Sequence, residues 1–320
     1  MHGLKILVIT WTHPMPPGSL IAQCFADKGC VVEEIKYNVS APDITLLLNQ
    51  WKKSLFHFRP DLVLIMKGAK ISKEILTEIK TLSTAKLALW LVDNALLELH
   101  PDNIWPPHYR TVEAKAYPLY DTVFMYDSFD VSHCRQLGLH NAVYLPLAFC
   151  ESIYHPLNSA TLYDMSFIGY RYLNRERLIG SLKGFHLGIG GCGWEGSSLH
   201  NYVIKDYVPY ASPNHIYNQS KIVLNIHSPQ SVHGGNLRNF EVLGSGSVLC
   251  AERLKDLLDL FSEDEVVFYS SAEELKEKIS FLLANDQKRR QIAQNGHQCA
   301  IAHHTFSHRI NSILNTLYPS

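Results

Sequence analysis

The sequence predicts a two-domain α/β protein, each half built on a doubly wound parallel sheet. Three observations predict it. Short, near-continuous runs of Ile, Leu, Val and Phe alternate with longer helical patterns along the whole chain, as strands covered on both faces alternate with crossover helices. At 320 residues the chain is long for one core. The alternation pauses once, at His155-Pro156-Leu157-Asn158-Ser159-Ala160-Thr161, a polar, proline-containing stretch of the interdomain-linker type.

In the first half the apolar runs place strands at 4–10, 31–36, 61–66, 86–91, 121–126 and 142–145. Helical patterns fall between them at about 18–28, 43–57, 72–82, 109–117 and 129–137. The first run is followed by Trp11, Thr12, His13 and Pro14 with no small-residue cleavage site, so it reads as a buried strand and not a signal peptide. Asp127 or Ser128 suits the N-cap of helix 129–137. The second half opens with strand 164–169 and helix 174–183. It continues with strands at 185–190, 221–226, 247–251 and 265–268 and helices at 212–218, 236–244, 253–260, 271–284 and 286–303. An amphipathic helix over about 305–317 ends the chain. Two similar α/β halves place a ligand in the cleft between them, at the carboxyl ends of their strands.

Composition excludes several classes. A net charge of −1 gives no electrostatic case for nucleic acid or an anionic membrane surface. No window approaches the roughly 18 apolar residues of a membrane span. The seven cysteines are scattered and form no Cys-x-x-Cys, which suggests neither a disulfide framework nor a structural zinc site and fits a reducing cytoplasm. His303, His304 and His308 lack the Glu that a His-Glu-x-x-His metal site requires, and no Asp-x-Asp is present; no metal or other cofactor is expected.

The most informative segment runs from Gly234 to Leu249. Glycines Gly234 and Gly235 and Asn236 lead into a short helical pattern, and the N–H groups and positive dipole end of such a helix suit a phosphate. Arg238 adds a permanent, fork-shaped cation. Glu241 shares its face three residues on, where a carboxylate can accept hydrogen bonds from two vicinal hydroxyls, as on a ribose. An intrahelical Arg–Glu pair closed by a glycine C-cap is the plainer reading of the same residues.

Other candidates lie at strand ends. His13, in a proline-stiffened loop after the first strand, has the chemistry of a general base, or is simply exposed in a turn. Asp93 ends the strand Leu89-Trp90-Leu91-Val92, placed to deprotonate or hold an acceptor hydroxyl, or to make an Asx turn. Gly169 ends Ser166-Phe167-Ile168 and admits close approach to the backbone, with Arg171 or Arg175 in reach of a phosphate or, alternatively, on the surface. Gly188-Ile189-Gly190-Gly191-Cys192-Gly193 matches Gly-x-Gly-x-x-Gly, but Trp194-Glu195-Gly196 continues as loop, which argues against a dinucleotide site. Tyr207 and Val208, with Tyr217 on the next helix, offer faces for a nucleobase or for the core.

Several of these segments occur together in an order that resembles a known family. They are Phe167-Ile168-Gly169, Lys221-Ile222-Val223-Leu224-Asn225-Ile226-His227, Asn236-Leu237-Arg238-Asn239-Phe240-Glu241, Val267-Phe268-Tyr269 and His304-Thr305-Phe306-Ser307-His308-Arg309. In this the chain resembles the glycosyl transferases family 1 group that includes spore maturation glycosyltransferase-like proteins, over roughly 160–315. Trp90-Leu91-Val92-Asp93 and Tyr144-Leu145-Pro146-Leu147-Ala148 extend the likeness into the first half.

The resemblance implies a GT-B fold: an acceptor-side Rossmann-like domain over 1–155, a nucleotide-sugar donor domain over 160–303, and a terminal helix over 304–320 that packs back on the first. It makes Glu241 similar to the glutamate that binds the donor ribose. Gly234, Gly235, Asn236 and Arg238 fall where the phosphates or the transferred sugar sit, and Tyr207 and Val208 where the base is met. Many retaining relatives carry an earlier glutamate seven residues before the ribose-binding one; here Gly234 stands in that place. The expected activity is metal-independent transfer of a sugar from a nucleoside-diphosphate sugar, with UDP-sugars favoured, to a glycan, lipid, protein or small-molecule hydroxyl. A non-catalytic sugar-nucleotide-binding or scaffold protein and a sugar-nucleotide epimerase are the alternatives.

Overall fold

The computed structural model describes residues 3–12, 17–38, 43–68, 70–93, 114–209, 212–228 and 231–319. His13 lies outside the described residues. The chain divides into two compact units, Met1–Leu147 with Phe306–Ser320, and Ala148–Thr305.

The first unit carries strands β1 (Lys5–Trp11), β2 (Val31–Tyr37), β3 (Leu62–Met66), β4 (Lys86–Leu91), β5 (Thr122–Met125) and β6 (Ala142–Tyr144). All pairs are parallel, in the order β2-β1-β3-β4-β5-β6. The apolar runs of β1, β3, β4 and β5 are buried as read, every residue of β3 being covered, because helices lie over both faces of a parallel sheet, whereas β2, at a sheet edge, leaves Val31 exposed. Helices α1 (Pro17–Asp27), α2 (Ile44–His57), α3 (Lys73–Leu82) and α4 (Ser128–Gln136) join the strands. Asp43, Ser72 and Asp127 cap α2, α3 and α4 through their side chains. The helix expected over 109–117 is instead a 3-10 helix at Ala114–Leu119, with 109–113 outside the described residues. Pro118 lies inside it, and a residue with no N–H does not extend an α-helical ladder.

The second unit carries β7 (Tyr163–Ile168), β8 (Leu187–Gly190), β9 (Val203–Lys205), β10 (Ser220–Asn225), β11 (Val248–Glu252) and β12 (Val267–Tyr269). They form a parallel sheet in the order β12-β11-β10-β7-β8-β9. Counted within this unit, the order is that of a dinucleotide-type Rossmann sheet, and the strand order reverses between β7 and β10. β9 escapes the sequence reading: it has three residues, pairs across an irregular register, and leaves Ile204 exposed on a sheet edge. After β8 the chain runs on in turns, with no helix to complete a dinucleotide fingerprint. Helices α5 (Leu173–Ser181), α6 (Pro213–Asn218), α7 (Leu237–Gly244), α8 (Lys255–Leu260), α9 (Ala272–Ala284) and α10 (Asp286–His303) complete the unit.

The boundary between units falls at Leu147 and not near 155. Residues 148–155 pack into the second unit, where Phe149 and Tyr154 are fully buried. The stretch read as a linker is tied to α6: His155 N donates to Asn214 Oδ1 (3.3 Å) and Leu157 N to Asn218 Oδ1 (2.6 Å). Chain order and polarity gave no sign of these side-chain amides. The last helix, α11 (Phe306–Leu317), belongs to the first unit. Its face of Ile310, Ile313, Leu314 and Leu317 is buried, and Arg309 donates from Nε and Nη2 to the Pro146 and Leu147 carbonyls (2.7–3.1 Å).

Helix α7 ends in a left-handed glycine cap. Gly246 has φ +75°, its N–H donates to Leu243 O (3.0 Å), and Ser247 N–H donates to Val242 O (3.2 Å). Gly244 is a helical residue with a different reason to lack a side chain: a Cβ there would collide with the Phe149 ring. Helix propensity alone favours Gly244→Ala by about 0.8–1 kcal/mol. Overpacking costs about 1–3 kcal/mol, and this outweighs it. Urea unfolding is expected to show a net destabilisation of the variant; a stabilised Gly244→Ala would mean that Phe149 does not pack there.

Candidate functional site

The carboxyl ends of β7 and β10, the two strands at the switch point, carry a cluster of hydrogen-bonded polar side chains. From β7 the chain passes Phe167 and Ile168 to Gly169 and then into α5, which presents Arg175. Arg175 is only 4% exposed. Its Nε donates to Ile226 O (2.9 Å), its Nη1 to Tyr170 O (2.8 Å), and its guanidinium lies over the Phe167 and Tyr172 rings (5.3 and 4.7 Å to the centroids). Burial, and then the charge of Arg238, lower its pKa to about 9.

Arg238 enters from the other strand, in the first turn of α7. Its Nη1 donates to Asn225 Oδ1 (3.1 Å), it shares a hydrogen bond with Tyr217, and its guanidinium lies 5.7 Å from the same Phe167 ring. A methyl group built at Gly169 would stand 3.2 Å from Arg238 Nη2 and 3.3 Å from Arg175 Nη1. Two guanidinium groups therefore converge on the one residue between them that has no side chain. Among the described residues neither is ion-paired to a carboxylate; backbone carbonyls, an amide oxygen and a phenol hold them.

One turn beyond Arg238, Glu241 is 7% exposed. Burial pushes its carboxyl up to about 7, against the charge of Arg238 and a hydrogen bond with Tyr154. Tyr154 and Tyr217 stack beside it with centroids 6.3 Å apart. Tyr217 is fully buried, so of its two readings core packing holds, and burial together with Glu241 raises its hydroxyl. Asn236 caps α7, its side chain accepting from Arg238 N (3.0 Å), and Gly234 and Gly235 are buried in the approach to the helix.

Behind the arginines lies an amide–imidazole network. Asn225 Nδ2 donates to Asn239 Oδ1 (2.6 Å) and Asn236 Oδ1 (3.0 Å). Asn239 Nδ2 faces His227 Nε2 (3.0 Å), and His227 Nδ1 and its backbone N–H both reach Glu252 Oε2 (2.9 and 2.7 Å). Asn225 and Asn239 are fully buried and His227 is 3% exposed. Burial lowers the His227 pKa, and the hydrogen bond that the ring donates to Glu252 opposes this. Asn225, His227, Asn239 and Glu252 drew no site assignment from the sequence. The available signal was Asn225 and His227 breaking the end of the apolar run Ile222-Val223-Leu224.

The remaining sequence candidates are placed as follows. Arg171 is half-buried and pairs with Glu176 through Nε and Nη2 (2.7 and 2.6 Å), so Arg175 and not Arg171 converges with Arg238. Tyr207 is exposed, and Val208 packs over Gly190. In the first unit, Asp93 follows β4 and is exposed, its Oδ2 2.7 Å from Lys67 Nζ, which also lies over the Trp11 ring (5.7 Å). His304 is buried against Phe261 and Phe240 (4.7 and 5.6 Å between centroids). Among the described residues no group of three or more His, Cys, Asp and Glu side chains has metal-site geometry, and no helix is long and apolar enough to cross a membrane. None of the seven cysteines is in a disulfide.

Residues 174–315 match the family model described as glycosyl transferase-like. This glycosyl transferase-like segment begins on α5 and includes Arg175, Asn225, His227, Arg238, Glu241 and Glu252. The chain is 22% identical to spore protein CgeB of Bacillus subtilis, with 78% of this chain and 80% of that protein covered. Among solved structures it is similar to sucrose-phosphate synthase from Thermosynechococcus elongatus (TM-score 0.72, 11% identity, 98% of this chain and 99% of that chain). It is also similar to Anabaena HepE in complex with UDP-glucose (TM-score 0.65, 14% identity, 98% and 99%). The fold is GT-B, and the family resemblance carried by the sequence motifs is met again in the family model and in CgeB.

The Glu241 carboxyl carries a pH signature. Its folded-state pKa is raised to about 7 from the 4.5 of an unperturbed carboxyl. Between these values the folded state keeps a proton that the unfolded state has lost. This group's contribution is therefore lost as pH rises through the window, by on the order of 3 kcal/mol at most. Replacing it with Gln removes the titration. The stability of Glu241→Gln relative to wild type, from urea titrations of the ligand-free protein, is expected to grow from pH 5 to pH 8. A difference that is flat across that range contradicts the burial described.

Proposed function

We propose that this chain transfers a sugar from a nucleoside-diphosphate sugar, with UDP as the nucleotide, to an acceptor hydroxyl and needs no bound metal to do so. The observation that carries the proposal is the pair Arg175 and Arg238, converging at Gly169 with neither ion-paired to a carboxylate among the described residues, and Glu241 one turn further along α7. A diphosphate supplies the missing negative charge, and the N–H groups at the start of α7 add donors to it. Glu241 accepts hydrogen bonds from the ribose hydroxyls. Gly234, Gly235 and Asn236 border the phosphates and the transferred sugar, and Tyr207 and Val208 meet the base. The structures of HepE with UDP and with UDP-glucose support a UDP-sugar donor on this fold.

In the transfer, the bond between the anomeric carbon and the diphosphate oxygen breaks and a bond to the acceptor oxygen forms. Charge gathers on the departing diphosphate, where two fixed guanidinium groups and a helix N-terminus are worth most because they need no reorganisation. In an inverting transfer Asp93 or His13 takes the acceptor proton; in a retaining one they bind the acceptor.

A thermal-shift screen against UDP-, GDP-, dTDP- and CDP-sugars, with and without EDTA, tests the donor and the metal independence together. Occupancy at about 100 times the dissociation constant adds about 2.7 kcal/mol to the folded state. The expected result is a selective shift with UDP-sugars that survives EDTA. Arg238→Ala and Glu241→Ala are expected to weaken donor binding by about 1–3 kcal/mol each. Unchanged affinity in both folded variants removes this donor site, and binding without turnover in the presence of varied acceptors favours the scaffold alternative.

A further inference from the structure

The network behind Arg238 has a direction, and that direction has a consequence for the donor site proposed above. Glu252 Oε2 accepts from both the backbone N–H and the Nδ1 of His227 (2.7 and 2.9 Å). A carboxylate only accepts, so Nδ1 carries the imidazole proton and Nε2 presents its lone pair. That lone pair faces Asn239 Nδ2 (3.0 Å), so the Asn239 amide turns its NH₂ toward His227 and its Oδ1 toward Asn225. Asn239 Oδ1 then takes a hydrogen bond from Asn225 Nδ2 (2.6 Å), which leaves Asn225 Oδ1 on the far side of the amide. There it accepts from Arg238 Nη1 (3.1 Å) and Asn236 Nδ2 (3.3 Å). His227, Asn239 and Asn225 are buried, so along that stretch each group dictates the orientation of the next, while Glu252, a third exposed, anchors the outer end.

Reversing the first link reverses the last. With a proton on Nε2, Asn239 would have to present oxygen to the ring and nitrogen to Asn225. Asn225 would then turn its NH₂ toward a guanidinium that can only donate. We infer that Glu252 and His227 are positioning residues: they fix the polarity of the Asn239 and Asn225 amides and so hold the Arg238 guanidinium at Gly169. Neither residue needs to touch the donor. The charged groups around His227 are Glu252 on β11, Arg238 on α7 and Arg175 on α5, and the two arginines oppose a second proton on the ring. The relay therefore stays in one polarity and does not act as a switch.

The inference rests on the donor reading for its functional meaning, while the position of Arg238 tests it independently. His227→Leu removes the acceptor at Nε2. Glu252→Ala, at a third-exposed position, releases the tautomer with little loss of packing. His227→Gln restores an acceptor oxygen toward Asn239. Crystal structures of the three variants and UDP titrations by calorimetry are the readouts. The expected result is that Arg238 leaves Asn225 Oδ1 in His227→Leu and Glu252→Ala, with UDP affinity down about tenfold, while His227→Gln keeps both close to wild type. If His227→Leu does not fold, Glu252→Ala decides. Arg238 unmoved in the folded disrupting variants overturns the inference, as does a His227→Gln protein as impaired as His227→Leu. Wild-type protein that fails to bind UDP, with Arg238 still displaced in the variants, removes the donor reading and leaves the positioning role standing.

Discussion

Two like charges brought together, with neither ion-paired to a carboxylate among the described residues, are the constraint on which the architecture of the second unit's crevice depends. Arg175 and Arg238 approach a common point at Gly169 from helices that follow different strands, and both lie over the ring of Phe167. Burial with a second cation nearby costs the charged form of Arg175, and the lowering of its pKa to about 9 expresses that cost. The fold sustains the arrangement by aiming oxygen dipoles at each guanidinium: Ile226 O and Tyr170 O at Arg175, and Asn225 Oδ1 at Arg238. Dipoles fix the geometry and leave the charge of the two guanidinium groups in place.

The parallel sheet makes the convergence possible. In a doubly wound sheet the helices after the two strands at the switch point leave on opposite faces, opening a crevice at the carboxyl ends of those strands. β7 and β10 are those strands here, and α5 and α7 are the helices that follow them along the chain. The cap at Asn236, the left-handed turn at Gly246 and the closeness of Gly244 to Phe149 set where α7 starts, stops and rests. Arg238 and Glu241 then share one helix face by spacing alone.

Much of this was legible in the sequence. The twin α/β alternation, the helix spans around Asp43 and Asp127 and the Arg238–Glu241 face follow from periodicity and capping chemistry, which are local. What escaped was long-range or too short to carry a pattern. Arg171 and Arg175 flank the start of α5, and only the tertiary fold shows that Arg171 is taken up by Glu176 while Arg175 turns inward. Glu252 and His227 are separated by a crossover and meet only because β10 and β11 are neighbours. The three-residue edge strand β9 has no alternation to read, and the 3-10 helix Ala114–Leu119 includes Pro118, one residue past the end of the helical pattern. The run at His155 looks like a linker by composition, yet the amides of Asn214 and Asn218 fasten it to the second unit.

The central claim is that the crevice at Gly169 is built for a nucleoside diphosphate. A crystal structure of the protein with UDP-glucose tests it most directly. The account predicts phosphate oxygens within hydrogen-bond distance of Arg175 or Arg238 and of the first N–H groups of α7, with the ribose hydroxyls on Glu241. A nucleotide bound elsewhere on the second unit, with the two guanidinium groups still facing solvent or one another, would contradict it.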